Sequence, residues 1–156
     1  MSRAFTREED NDMPLAGIGE RPVSAHRNLV TPEGLAAIEA EIAALREQFV
    51  TAERAGEKER MAVASRDLRY WVARRETAEL SVPDAASDVV RFGMSVALLD
   101  EDGKRRRWKI VGEDEADASA GKISHVSPMA VALFGKGVGD AVSVNGREFE
   151  IEKISV

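Results

Sequence analysis

The stretch TAERAGEKERMAVASRDLRYWVARRE, residues 51–76, reads as the end of one helix, a turn and the start of another. Upstream of it, Leu35, Ile38, Ile42, Leu45 and Phe49 recur at spacings of three and four, the stripe of an amphipathic helix seam. TPEG at residues 31–34 supplies the start signals: a threonine N-cap, proline at the first helical position and an early acid. Helix one is expected from about Pro32 to about Arg54. Gly56 interrupts where a C-cap belongs. The stripe resumes at Met61, Ala64, Leu68 and Trp71, so helix two is expected from about Lys58 to about Leu80, ended by Pro83. Two helices of similar length on a short link pair most simply as an antiparallel hairpin.

Working outward, residues 1–30 mix acids, Gly and Pro without period and read as a flexible tail. After Val89 the period shifts towards two. RFGMSVALLDEDGKRRRWKIVG, residues 91–112, is strand, Asp102-Gly103 turn, strand. An acidic loop, a short strand and a capped helix in SPMAVALFG follow, then a second hairpin about Asn145-Gly146. The expected fold class is α+β: a coiled-coil hairpin over 31–82, then an antiparallel sheet domain with one short helix over 83–156.

Composition bounds the chemistry. The chain has 156 residues, net charge −6, 32% charged residues and no cysteine, which excludes thiolate and disulfide chemistry. Neither a membrane-spanning apolar run nor the apolar core of a signal peptide is present, so no membrane partner and a cytoplasmic address are expected. The acidic balance argues against sequence-specific DNA binding.

KISHVSPMAVALFGKGVGDAVSV, residues 122–144, is similar to the closing signature of the GreA/GreB family of transcription elongation factors. The first hairpin of the sheet domain and the TPEGL entry to helix one resemble that family too. The resemblance covers roughly residues 30–156. It implies a coiled coil joined to an FKBP-like domain that binds bacterial RNA polymerase as a monomer. The sheet domain would dock at the rim of the secondary channel, through Ser127, Pro128 and Met129, while the hairpin enters the channel. In cleavage-active members, paired acids at the hairpin tip help hold a second catalytic Mg2+. Hard cations require such oxygen ligands.

The tip departs from that pattern. If Tyr70 is laid on the family's tyrosine, the paired acids fall on Val63 and Arg66, which cannot ligate a cation. The hairpin is also short against the family's. Ten fewer residues per helix shorten its reach by about 15 Å. If the tip instead lies at Gly56, then Glu57 and Glu59 are the candidate acids, alternating with Lys58 and Arg60. These residues are either a solvated turn, metal-assisting acids or a non-catalytic contact. Arg66, Arg69, Arg74 and Arg75 make helix two basic, for pairing with acids of helix one or for contact with acidic channel walls. The acids Glu8, Glu9, Asp10 and Asp12 form a cluster on a segment long enough to fold back along the protein, either to mask that arm or to contact polymerase itself.

Other motifs carry less. GKGVGD lacks the Lys-Ser/Thr ending of a phosphate loop and reads as turn chemistry. Lys104, Arg106 and Trp108 share one face of a strand and Arg105 and Arg107 the other. His26 and His125 lack metal-ligand spacing. The expected function is a regulatory polymerase-binding factor without strong stimulation of transcript cleavage. It is not itself an enzyme and has no cofactor of its own, Mg2+ entering only indirectly at the polymerase active site. The alternatives are an active cleavage factor using Glu57 and Glu59, and a protein-interaction module that never meets polymerase.

Overall fold

The structure, a computed structural model, describes residues 18–156. The acidic cluster Glu8–Asp12 lies outside the described residues. The chain divides into two units, one comprising the described residues 18–24 with 38–76, the other 25–37 with 77–156.

The first unit is helical. Helix α1 spans Pro32–Ala55 and helix α2 spans Lys58–Thr77. The turn between them closes as expected at Gly56, whose φ of 67° is the left-handed region that glycine tolerates best. Glu57 N–H reaches the Ala52 carbonyl at 2.9 Å. On α1 the stripe residues Ile38, Ile42 and Leu45 are buried, and Ala52 extends the seam one turn towards the tip. On α2 Ala64 is buried, with Met61, Leu68 and Trp71 half-buried.

Helix α2 stops three residues before the expected end at Leu80. Glu79–Leu80 is instead a two-residue strand, β2, paired in parallel with β1, Leu29–Val30. The pairing is held by Glu79 N–H to the Asn28 carbonyl at 2.8 Å and Ser81 N–H to the Val30 carbonyl at 3.0 Å. Two partners far apart in sequence therefore override the local helical pattern. The same contacts correct the reading of residues 1–30 as one flexible tail. Asn28 and Val30 are buried, and residues 25–30 belong to the sheet unit.

The second unit is built on β3 (Ser95–Asp100), β4 (Arg105–Val111), β5 (Lys122–Ser124), β6 (Ala141–Val144) and β7 (Arg147–Ser155), in the order β5-β4-β3-β7-β6. Four of the strands pair antiparallel, but β4 and β5 run parallel, so the sheet is mixed where an antiparallel one was expected. The acidic loop makes the difference. Two 3-10 turns, Glu113–Glu115 and Ala118–Ala120, carry the chain back to Lys109 in the second half of β4, and β5 sets off in the same direction. Val96, Leu98, Ile110, Phe149 and Ile151 from the sheet bury against Ala130 and Leu133 of the short helix α3, Pro128–Leu133. Asn145, at φ 52°, and Gly146, at φ 76°, form the expected tight turn between β6 and β7.

Candidate functional site

The hairpin tip is fully open to solvent: Gly56, Glu57, Lys58 and Glu59 are all exposed. Glu57 is ion-paired with Arg60 at 3.0 Å, one turn along α2. Among the described residues no group of three or more His, Cys, Asp or Glu side chains is arranged to hold a metal ion. Val63 and Arg66, the positions of the paired acids in the other register, are half-buried on α2.

The four arginines of α2 have different fates. Arg75 reaches Glu39 of α1 at 3.0 Å, the cross-helix pairing that the charge pattern suggested. Arg66 bonds its neighbour Asp67 at 2.9 Å. Arg69 is held by Glu20, its Nε donating at 3.0 Å to either carboxylate oxygen. That bond, ahead of the Coulomb attraction of Arg69 and Arg66, holds the Glu20 carboxyl below its ordinary range. Arg74, one of the four offered for an outside contact, is 1% exposed and presents no guanidinium to an outside partner. Arg21 stacks over the Tyr70 ring at 3.9 Å, near enough to Trp71 (5.6 Å) and Asp67 (3.6 Å) to engage all three. Residues 18–24 are thus a strap along α2. Sequence reading missed Glu20 and Arg21, because their partners lie almost fifty positions away and no local pattern announces them.

In the sheet unit, Ser127 caps α3, its hydroxyl accepting from Ala130 N–H at 3.3 Å, with Pro128 at the first helical position. Pro128 is exposed and Met129 half-buried against the core. Val131 on the same helix is 62% exposed. His125, just ahead of the cap, is buried edge-on to Phe92 with ring centroids 5.6 Å apart. Its Nε2 has no hydrogen-bond partner among the described residues. Burial pushes its pKa down, against the opposing pull of Glu113. On β4, Lys104, Arg105, Arg106 and Arg107 are exposed, Arg105 paired with Glu152 at 3.0 Å, while Trp108 turns towards the core.

A second carboxylate missed in the sequence is Glu115. It accepts from Thr31 N–H at 3.2 Å, from the Thr31 hydroxyl and from Gly112 N–H at 3.0 Å. The Thr31 hydroxyl in turn accepts from Gly34 N–H at 3.0 Å, the cap expected at the start of α1. A carboxylate at the first turn of a helix also complements its dipole.

The region containing α3 and its cap matches a family model. Residues 85–156 fit the family described as "Transcription elongation factor, GreA/GreB, C-term". Those residues are similar to a GreA/GreB C-terminal domain. Over 93 residues the chain is 43% identical to the transcription elongation factor GreA of Azorhizobium caulinodans, an overlap of 56% of this chain and 58% of that protein. It is 45% identical over 93 residues, with the same shares, to GreA of Rhodopseudomonas palustris. The match thus spans 58% of the length of these curated relatives. Among solved structures, the GreA factor homolog 1 of Thermus thermophilus aligns at 21% identity and a TM-score of 0.42, covering 84% of this chain and all of that one. The GreA/GreB factor of Nitrosomonas europaea aligns at 19% identity and a TM-score of 0.42, over 83% of this chain and 99% of that one. No helix among the described residues is long and apolar enough to cross a membrane.

Proposed function

We propose that this chain is a Gre-type accessory factor that binds bacterial RNA polymerase at the secondary channel and regulates it without strongly stimulating transcript cleavage. The reading is supported by the match of residues 85–156 to the GreA/GreB C-terminal family and by the capped helix α3 within them, at whose start Ser127, Pro128 and Met129 would dock. The observation that carries the regulatory half is the tip. Its two acids are exposed and interleaved with Lys58 and Arg60, and Glu57 is already paired with Arg60 at 3.0 Å. A carboxylate neutralised by a guanidinium is a poor ligand for a catalytic cation. The factor acts as a cytoplasmic monomer with no cofactor of its own. Any hydrolysis belongs to the polymerase, with its Mg2+.

The test uses a backtracked elongation complex with core polymerase. The factor is expected to bind, to be displaced by a cleavage-active Gre protein, and to leave the rate of 3′ fragment release near its intrinsic value. Magnesium-dependent release that is lost in Glu57→Ala/Glu59→Ala establishes the competing reading, an active cleavage factor, which the GreA name of the relatives favours. Failure to bind core polymerase at all returns the chain to the class of interaction modules. Val131→Glu beside the docking segment is expected to weaken binding at least about tenfold if α3 meets the polymerase.

A further inference from the structure

The basic run at residues 104–107 leads into β4. Val96, Leu98, Ile110, Phe149 and Ile151 of the sheet point into the core, and Trp108 packs against it. Side chains alternate along a strand, so Ala97, Arg105, Arg107 and Lys109 stand on the opposite, outer face. The register sets their neighbours. Arg107 pairs with Ala97, and Ala97 with Lys153, so two cations flank one methyl group. In the next row Lys109 pairs with Lys122 of β5. Arg107, Lys109, Lys122 and Lys153 thus gather across β5-β4-β3-β7, within about 14 Å by 7 Å. Arg107, Lys122 and Lys153 are exposed and Lys109 is half-buried. None of the four has an ion-pair partner among the described residues, whereas Arg105 is paired with Glu152 at 3.0 Å.

In a chain of net charge −6 this is a local excess of positive charge. One carboxylate already responds to it. Glu33, at the start of α1, has its carboxyl held below the ordinary range, first by a bond from its own backbone N–H and next by the attraction of Lys109. We infer that the outer face of the sheet binds an acidic protein segment whose carboxylates lie about 7 Å apart, as at every second residue of an extended strand. That is the spacing of Arg107 and Lys109 along β4. A nucleic acid fits the face less well. Phe92, Trp108, Phe134 and Phe149 lie in or against the core, so no phenyl or indole ring of the described sheet unit stands outside for a base to stack on. Glu148 and Glu150 of β7 are exposed, on the side of the strand opposite the buried Phe149 and Ile151. They repel a continuous phosphate backbone, whereas a protein segment sets its carboxylates only opposite the four cations. Helix α3 packs on the core side of the sheet, so the inference holds whether or not the docking segment meets a polymerase.

The test uses the full chain and a fluorescein-labelled peptide of alternating Glu and Gly, followed by anisotropy. The peptide is expected to bind at about 20 mM salt and to be released at about 0.5 M. Arg107→Glu/Lys153→Glu is expected to weaken binding at least about tenfold, and Arg46→Glu/Arg54→Glu, the same change of charge on α1, by less than about twofold. Arg107→Gln/Lys153→Gln removes the charges without reversing them and guards against a variant that folds poorly; about threefold weaker binding is expected of it. No binding of the peptide at low salt, or equal loss in the β-sheet and α1 variants, overturns the inference. A thymidine oligonucleotide of equal charge that binds more tightly than the peptide, through the same residues, assigns the face to nucleic acid and overturns it too. So does a dimer in light scattering that Arg107→Glu/Lys153→Glu dissolves, which assigns the face to a second copy.

Discussion

Replacing Gly34 with alanine puts the Glu115 latch to a quantitative test. A Cβ on Gly34 falls 2.1 Å from Glu115 Cδ and 2.3 and 2.6 Å from its two oxygens, all inside contact distance. The backbone need not move, since the carboxylate is the far end of a flexible side chain and can swing out. Swinging out forfeits the bonds from Thr31 N–H, the Thr31 hydroxyl and Gly112 N–H. At about 1 kcal/mol net for each of these part-buried bonds, the loss is about 3 kcal/mol. Alanine in place of glycine inside a helix returns about 1 kcal/mol. Gly34→Ala is therefore expected to destabilise the chain by about 2 kcal/mol, a fall in Tm of about 4–8 °C for a chain of this size. Urea titration followed by circular dichroism measures it. The decisive comparison is the same substitution in a Glu115→Ala background, where the cost should vanish and the propensity gain should surface as a rise of about 1 kcal/mol. If Gly34→Ala stabilises the unmodified chain, or costs as much without Glu115 as with it, the account of the latch is wrong.

Three further outcomes follow from the geometry. Gly112→Ala should cost more than Gly34→Ala, above about 3 kcal/mol, because its Cβ meets the backbone carbonyl of Leu29 at 2.4 Å, and main chain paired in β1 cannot swing aside; denaturant midpoints rank the two. Asn145→Ala should lose about 1 kcal/mol in the same assay, since its φ of 52° is unfavourable to alanine, while Asn145→Gly should lie within a few tenths of a kcal/mol of the parent. His125 is buried with its pKa depressed by desolvation, against Glu113 and with His26 and Arg27 nearby; the unfolded chain then binds more protons, so stability should fall as pH drops below about 6.5. His125→Phe should flatten that part of the stability–pH curve, and an unchanged slope in the variant refutes the assignment.

The residues themselves carried much of the architecture. The three-and-four stripe, the Thr31 cap, the break at Gly56, the Ser127-Pro128 cap and the Asn145-Gly146 turn all act over a few residues, and all stand where they were expected. Such signals are legible because capping, turn conformation and amphipathic spacing are satisfied locally. The end of α2 was not legible. Residues up to Leu80 continue a helical pattern, and only the pairing with Leu29–Val30 turns Glu79–Leu80 into a strand.

The candidate surfaces divide in the same way. Sequence alone placed two acids and two bases at an exposed tip and a capped helix after Ser127. It could not say which arginines of α2 were available. That was decided by folding, which buries Arg74, ties Arg69 to Glu20 and turns Arg75 onto Glu39. The parallel placement of β5 and the Glu115 latch across to Thr31 belong with these. Each depends on partners from 13 to 84 positions apart, and a linear chain carries no record of such proximity until the core has brought the segments together.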